Sequence, residues 1–138
     1  MTDFEIAKNN LSGHTICLCK GGSCLYSEKR GISPMMDLIA SGVDLAGYSA
    51  ADIVVGKAAA LLFVKSGIKR VFAKTLSSYG KEVLERYGIE CEYEILTEKI
   101  INRAGTDICP MEKAVMDTVD PEEAYEILKS KTEQLKGE

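Results

Sequence analysis

The loop that ends at Cys109 carries the strongest candidate nucleophile of this 138-residue chain. Cys109 directly precedes Pro110, which we expect to be the first residue of a helix. Free backbone N–H groups and the helix dipole stabilise a thiolate at such a position. Glu112 could cap that helix or move protons as an acid or base. The alternative is that Cys109 is only a buried helix cap, since the single histidine, His14, is remote in sequence.

The same loop offers polar side chains that could hold an anion. Arg103 supplies a positive charge, and Asn102 and Asp107 add hydrogen-bonding groups around the flexible Gly105. Functional residues favour loops that follow strands, which predicts a ligand-binding role for these three side chains. The alternative is that Arg103 forms an ordinary ion pair at the surface.

Lys57 is a lone cation in the otherwise apolar segment 54–60. A buried lysine must contact an anion, extend to water or shift its pKa. Gly56, just before it, would let a ligand approach closely. Asp52 lies five residues earlier, so a ligand could bridge the two side chains, and Asp52 could move protons.

Ser77 and Ser78 stand where a predicted strand enters a helix. Hydroxyl and N–H groups at such a position can bind an anion, and open α/β sheets usually bind ligands at this edge. The simpler alternative is that one serine caps the helix.

Three of the five cysteines, Cys17, Cys19 and Cys24, fall in a predicted hairpin. Their spacing is not a standard zinc motif, so no metal site is predicted. The hairpin would place the three thiols on one sheet face, with Cys19 opposite Cys24 at about 4.5 Å between Cα atoms. An odd cysteine count without a secretory leader favours free thiols. Buried apolar packing is one interpretation, and a metal or redox role is the other.

The elements that must position these residues follow from local patterns. Strands over 15–20 and 23–27 flank Gly21-Gly22, which is typical of a tight hairpin turn. A capping pattern at Ser49, with Asp52 three residues later, predicts a buried helix over 50–65 that Gly67 ends. Further elements are predicted as a helix from Ser33 to Gly42, strands over 70–76 and 91–96 with a helix between them, and helices over 110–117 and 120–135.

Strand, helix, strand at this spacing is a βαβ unit, so the strands over 70–76 and 91–96 should be parallel. Adding the hairpin predicts a mixed sheet covered on both faces, which is a three-layer α/β/α sandwich. The whole chain, 1–138, is predicted to be one domain with a C-terminal helical extension over about 110–136.

Composition excludes several function classes. The net charge is −4 and there is no basic stripe, so a nucleic acid polymer is not an expected partner. No apolar run approaches the ~20 residues of a membrane span, and no secretory leader opens the sequence, which predicts a cytoplasmic location. The strand over 91–96 could pair in a homodimer, although Glu92 and Glu94 oppose edge pairing.

Two segments, 52–60 and 102–112, resemble those of a small prokaryotic family of unknown function in the cytidine deaminase-like superfamily. The resemblance covers about 18–115 and implies a cytidine deaminase-like fold. Zinc deaminases of that superfamily carry His-x-Glu or Cys-x-Glu and Pro-Cys-x-x-Cys at two helix starts. Here the first place has Asp52, Gly56 and Lys57, and the second has Ser77 and Ser78 without a thiol. Zinc-dependent deamination is therefore not expected, while the pocket location carries over.

The leading hypothesis is a zinc-free protein that binds a small anionic or nucleotide-like metabolite and needs no cofactor. If it is an enzyme, Cys109 would be the nucleophile, Lys57 and Arg103 would hold the anion, and Asp52 or Glu112 would move protons. One alternative is a non-catalytic ligand sensor or interaction module. Another is a redox or metal-handling protein that uses Cys17, Cys19 and Cys24.

Overall fold

The computed structural model describes residues 1–102 and 104–136. The elements in chain order are α1 Asp3–Asn9, β1 Ile16–Lys20, β2 Ser23–Ser27, α2 Ser33–Ser41, β3 Ser49–Val55, α3 Lys57–Ser66, β4 Arg70–Ser77, α4 Ser78–Arg86, β5 Glu90–Thr97, α5 Pro110–Ala114 and α6 Pro121–Lys136. Within those ranges, no helix is both long and apolar enough to cross a membrane.

The strands form one mixed sheet in the order β2-β1-β3-β4-β5. The β1 strand runs antiparallel to both β2 and β3. The strands β3, β4 and β5 are parallel, and α3 and α4 connect them. The predicted α/β class with a mixed sheet is confirmed, and so is the parallel pairing of the strand–helix–strand unit. The dimerisation suggested for the edge strand β5 stays a prediction.

The hairpin has the predicted register. Gly21 and Gly22 have φ values of +59° and +83°, the left-handed conformation that a two-residue hairpin turn requires. Cys19 lies opposite Cys24, and Cys17 lies opposite Tyr26. The prediction of free thiols is wrong for one pair, because Cys19 and Cys24 form a disulfide. Their directly opposed positions, with Cα atoms 4.2 Å apart, bring the two sulfurs together.

The predicted helix over 50–65 is wrong in its first half, because residues 49–55 form the central strand β3. The three consecutive β-branched residues 53–55 pack better on a pleated sheet than in a helix. Gly56 then interrupts the strand and serves as the N-cap of α3. The capping box predicted for Ser49 and Asp52 therefore does not exist, and both residues pair with neighbouring strands.

Helices cover both faces of the sheet. The α1 helix, which the sequence did not predict, packs Phe4 and Ala7 against Cys17, Ala51 and Phe72. The other face is covered by α2, α3 and α4, and α6 packs on α3. The resulting three layers agree with the predicted sandwich.

Smaller departures concern where helices begin and end. Ile32, rather than Ser33, occupies the cap position of α2 and makes no side-chain cap bond. The helix predicted over 110–117 ends already at Ala114. The predicted closure of α3 is confirmed, since Gly67 has φ +77° and the Ile68 N–H donates to the Phe63 carbonyl at 3.1 Å.

Candidate functional site

The start of α3 is capped by a residue from another element. Gly56, the N-cap, has no side chain, and the first amides of the helix donate to Glu112 on α5. The Lys57 N–H reaches Oε1 at 2.7 Å and the Ala58 N–H reaches Oε2 at 2.7 Å. A Cβ at position 56 would overlap the Glu112 carboxylate, so a glycine lets the two chains approach this closely. The carboxylate thus takes the place where a helix N-terminus could bind an anion.

Burial and hydrogen bonding act in opposite directions on Glu112. The residue is 6% exposed, and desolvation raises the pKa of its carboxyl group. The two amide hydrogen bonds and the nearby Lys57 charge lower that pKa and offset part of the rise. Lys57, 8% exposed, donates its ammonium group to the Met116 carbonyl at 2.7 Å. The partner that the buried Lys57 ammonium group needs is therefore a backbone carbonyl group of the protein itself.

A small cavity of about 90 Å³ opens beside this cap, at the carboxyl end of β3. Cys109 and Glu112 are its polar lining residues, and its apolar wall includes Ile32, Val54 and Met111. Cys109 is partly buried, and its backbone N–H donates to the Ile100 carbonyl at 2.9 Å. Its side chain makes no cap bond to the short helix α5. The structure therefore brings together two of the predicted catalytic residues, Cys109 and Glu112, in one cavity.

A larger groove of about 320 Å³ lies between α2 and α6 and shares Ile32 and Met111 with the cavity. Its residues are Lys29, Ile32, Ser33, Met36, Asp37, Ala40, Met111, Tyr125, Lys129, Thr132 and Glu133. Lys29 pairs with Asp37 at 2.7 Å. The buried Thr132 hydroxyl has no hydrogen-bond partner in the part of the chain that is described. No sequence motif predicts this groove, because its residues come from separate elements.

The two predicted serines have structural partners at the start of α4. The Ser77 hydroxyl is the helix cap and accepts from the Gly80 N–H at 2.9 Å. The Ser78 hydroxyl donates to the Thr97 carbonyl at 3.3 Å. Gly80 packs closely on Gly56: a Cβ added at position 80 would lie 2.9 Å from the carbonyl oxygen of Gly56. The starts of α3 and α4 are thus adjacent, while Ser77 and Ser78 lie outside the lining of the cavity and the groove.

Asp52 lies in the middle of the sheet, in register with Ile16 on β1 and Ala73 on β4. It is 7% exposed, and burial raises its pKa to about 8, although the Ile53 and Val54 amides act against the rise. Its carboxyl group is therefore largely protonated at neutral pH. The cavity and the groove are lined by other residues.

The predicted ligand-binding residues Asn102 and Asp107 form hydrogen bonds with neighbouring residues of the chain. Asn102 bonds with the Thr106 backbone and side chain, at 3.0 and 3.3 Å. Asp107 pairs with Lys113, and this hydrogen bond is the main reason that the pKa of the carboxyl is lowered. Asn102 and Asp107 line a separate open groove beside Pro110. The prediction for Arg103 lies outside the described residues.

Three neighbouring cysteines form a second candidate site. The sulfurs of Cys17, Cys19 and Cys24 lie within 4.8 Å of one another on the sheet face that α1 covers. The predicted common face of these three residues is confirmed. The cluster lies on one face of the sheet, whereas α3, its Glu112 cap and the cavity lie on the other face.

A family model described as a domain of unknown function, DUF1893, matches residues 6–132. The crystal structure of a DUF1893 family protein (TM1506) from Thermotoga maritima is similar, with a TM-score of 0.79 and 28% identity, over 86% of this chain and 80% of that chain. No curated protein sequence matches this chain.

Two deaminases overlap with part of the fold. One is a diaminohydroxyphosphoribosylaminopyrimidine deaminase/5-amino-6-(5-phosphoribosylamino)uracil reductase from Thermotoga maritima, with a TM-score of 0.46 and 18% identity, over 58% of this chain and 29% of that chain. The other is a dCMP deaminase from the cyanophage S-TIM5, with a TM-score of 0.44 and 17% identity, over 56% of this chain and 77% of that chain. Overlaps this limited carry neither a site nor an activity over to this chain.

Proposed function

This chain belongs to the DUF1893 family, and from that premise we propose that it binds a small anionic or nucleotide-like metabolite in the groove between α2 and α6. One observation carries the proposal: the groove and the inner cavity share Ile32 and Met111 as a wall. A single ligand could therefore extend from Lys129 in the groove to Glu112 in the cavity.

The chemistry of the groove suits a planar ring with a charged substituent. Its volume of about 320 Å³ falls within the range of about 300–1,000 Å³ typical of small-molecule sites. Met36, Met111 and Tyr125 offer apolar surface against which a ring could pack. Lys29 is already paired with Asp37, whereas Lys129, which lines the groove together with Glu133, is in none of the ion pairs found among residues 1–102 and 104–136. Lys129 is thus the better partner for an anionic group.

Glu112 supplies a recognition group at the inner end. Each carboxylate oxygen accepts one backbone amide and can accept a further hydrogen bond, so a ligand N–H could add to this cap. Amino and ring N–H groups of a nucleobase have this character. Lys57 then acts as a positioning residue that holds the carboxylate by charge. The anion-binding roles expected for Asn102, Asp107, Ser77 and Ser78 stay predictions.

Catalysis through Cys109 is the second candidate function, and its position in the cavity lining beside Glu112 favours it. Cys109 would be the nucleophile and Glu112 the proton carrier. Binding without catalysis, as in a ligand sensor, is favoured by the engagement of both Glu112 oxygens in capping.

Alkylation of the free cysteines separates these functions. Iodoacetamide labelling would be followed by peptide mass spectrometry over a range of pH, with and without a mixture of nucleoside 5′-monophosphates. Cys91 is a matched control, because it is free and equally partly buried but lies on β5. Ligand protection of Cys109 alone supports the site. Alkylation of Cys109 much faster than that of Cys91 at neutral pH would support catalysis.

A pair of lysine variants on α6 locates the anion. Lys129→Ala should weaken protection of Cys109, whereas Lys131→Ala should not, since Lys131 lines a different groove. Equal effects of both variants, or no protection of Cys109 by any nucleotide, would overturn the proposal.

A further inference from the structure

Three sulfur atoms form a compact cluster beneath α1, on the face of the sheet opposite to the groove. Cys17 and Cys19 alternate along β1 and so share a face, and Cys24 lies opposite Cys19 on β2. The Cys17 and Cys19 sulfurs are 3.6 Å apart, and all three lie within 4.8 Å of one another. Cys19 and Cys24 are joined as a disulfide, whereas Cys17 is free.

We propose that reduction of this disulfide creates a binding site for one soft monovalent metal ion, Cu(I), held by Cys17, Cys19 and Cys24. A dithiol reductant supplies two electrons and two protons. It becomes a cyclic disulfide while the Cys19–Cys24 bond breaks into two thiols. Cu(I) then bonds to the sulfurs and the displaced thiol protons pass to solvent. The oxidised protein, with two sulfurs joined to each other, lacks the site.

The donor set selects the metal. Among the residues that the structure describes, the cluster contains sulfur ligands and no nitrogen or oxygen ligand. Structural zinc sites take four ligands, whereas thiolates favour Cu(I). Metal–sulfur bonds of about 2.3 Å would place three sulfurs roughly 4 Å apart around a trigonal centre. The Cys17 and Cys19 sulfurs, 3.6 Å apart, are already close to this spacing, and cleavage of the Cys19–Cys24 bond would let the two bonded sulfurs separate to reach it.

The surroundings bury two of the three sulfurs and leave the third accessible from the edge of the sheet. Cys17 and Cys19 are fully buried under Phe4, Ala7 and Leu11 of the α1 region. Cys24 is only partly buried and lies on the edge strand β2, which gives the ion access. Two cations border the same apolar cluster, and each also forms an ion pair with a glutamate of β5. They are Lys8, 4.9 Å from the centre of the Phe72 ring, and Arg70, 3.9 Å from that of Phe4.

A competition titration tests the site directly. The full chain would be reduced, desalted under nitrogen and titrated with Cu(I) against the chelator bicinchoninate. We expect one tightly bound Cu(I) in the reduced protein and none at this site in the oxidised protein. Cys17→Ser should lower the affinity by more than the roughly 10–100-fold that outer-shell changes cost. Cys91→Ser and Cys109→Ser are matched controls that should leave it unchanged.

A second measurement uses the wild-type chain, so that its result does not depend on whether the Cys17→Ser variant folds. In the folded, reduced protein, Cu(I) should slow the alkylation of the partly buried Cys24 and should leave the alkylation rates of Cys91 and Cys109 unchanged. Equal binding by oxidised and reduced protein, Cu(I) affinity unaffected by Cys17→Ser, or Zn(II) binding in preference to Cu(I) would each overturn the proposal.

Discussion

The helices α3 and α4 begin side by side at the same edge of the sheet, yet their first amides are satisfied differently. The α4 helix uses Ser77, the residue just before it. The α3 helix begins after a glycine and takes its cap from Glu112, 55 residues beyond Lys57. A local cap stabilises one helix, whereas the distant cap also joins α5 to α3. The cavity lies beside the distant cap, so binding of the proposed ligand there would be coupled to the stability of α3.

Removal of the distant cap should have the largest effect. Glu112→Ala would leave the Lys57 and Ala58 amides without their acceptor and the buried Lys57 ammonium without its nearby anion. We expect a loss of about 3 kcal/mol in unfolding free energy, measured by urea denaturation. Glu112→Gln keeps the shape and should cost less. A loss below that of Ser77→Ala would contradict the comparison.

The close approach at Gly56 should be the next most sensitive feature. Gly56→Ala adds a Cβ that overlaps the Glu112 carboxylate, and the φ of −106° at this position adds no strain of its own. We expect a loss of roughly 2 kcal/mol, in the range of overpacking substitutions. In a Glu112→Ala background the same substitution should be nearly neutral. Equal costs in both backgrounds would show that the two residues do not interact.

A pH titration of stability reports on Asp52, the buried carboxyl group of the sheet. The folded pKa of Asp52, about 8, lies above the ordinary aspartate pKa of 3.8, so the folded state binds more protons between these values. Stability should be full below about pH 4 and fall as the pH rises through 8, by up to about 1.4 kcal/mol per pH unit. Asp52→Asn should flatten this slope, as denaturation at several pH values would show. An unchanged slope would mean that Asp52 is ionised in the fold.

The local cap should give the smallest effect. Ser77→Ala removes the hydroxyl that accepts from the Gly80 N–H and should cost about 1 kcal/mol, as measured by thermal denaturation. Ligand protection of Cys109 should not change in this variant. The Ser78 hydroxyl makes only an exposed hydrogen bond of 3.3 Å to the Thr97 carbonyl. Ser78→Ala is therefore a control that should lower the unfolding free energy by less.

The same contrast explains what could be predicted from the sequence. The Gly21-Gly22 hairpin, the helix cap by Ser77 or Ser78 and the helix end at Gly67 depend on neighbouring residues, and all three agree with the structure, in which Ser77 is the cap. The segment 49–55 was misassigned because its apolar run fits a buried helix and a buried strand equally well. The β-branched residues before Gly56 were the signal that could have corrected it.

Long-range features had no such signal. Glu112 was recognised as a capping or proton-transfer residue, but nothing in the sequence indicated that it caps α3 rather than its own helix. The groove joins Met36, Met111 and Tyr125 from three helices, and only packing brings them together. The Cys19–Cys24 pairing was geometrically expected, whereas its oxidation was not.

The most direct test is a titration of the ¹⁵N-labelled protein with nucleoside 5′-monophosphates, followed by amide chemical shifts. If the ligand occupies the groove and contacts the distant cap, the amides of Lys57, Ala58 and Met111 should shift together with saturation. The amide of Gly80, at the locally capped helix, should stay unchanged. Shifts confined to Gly80 or to the loop around Asn102, or no saturable shift at all, would contradict the proposed site.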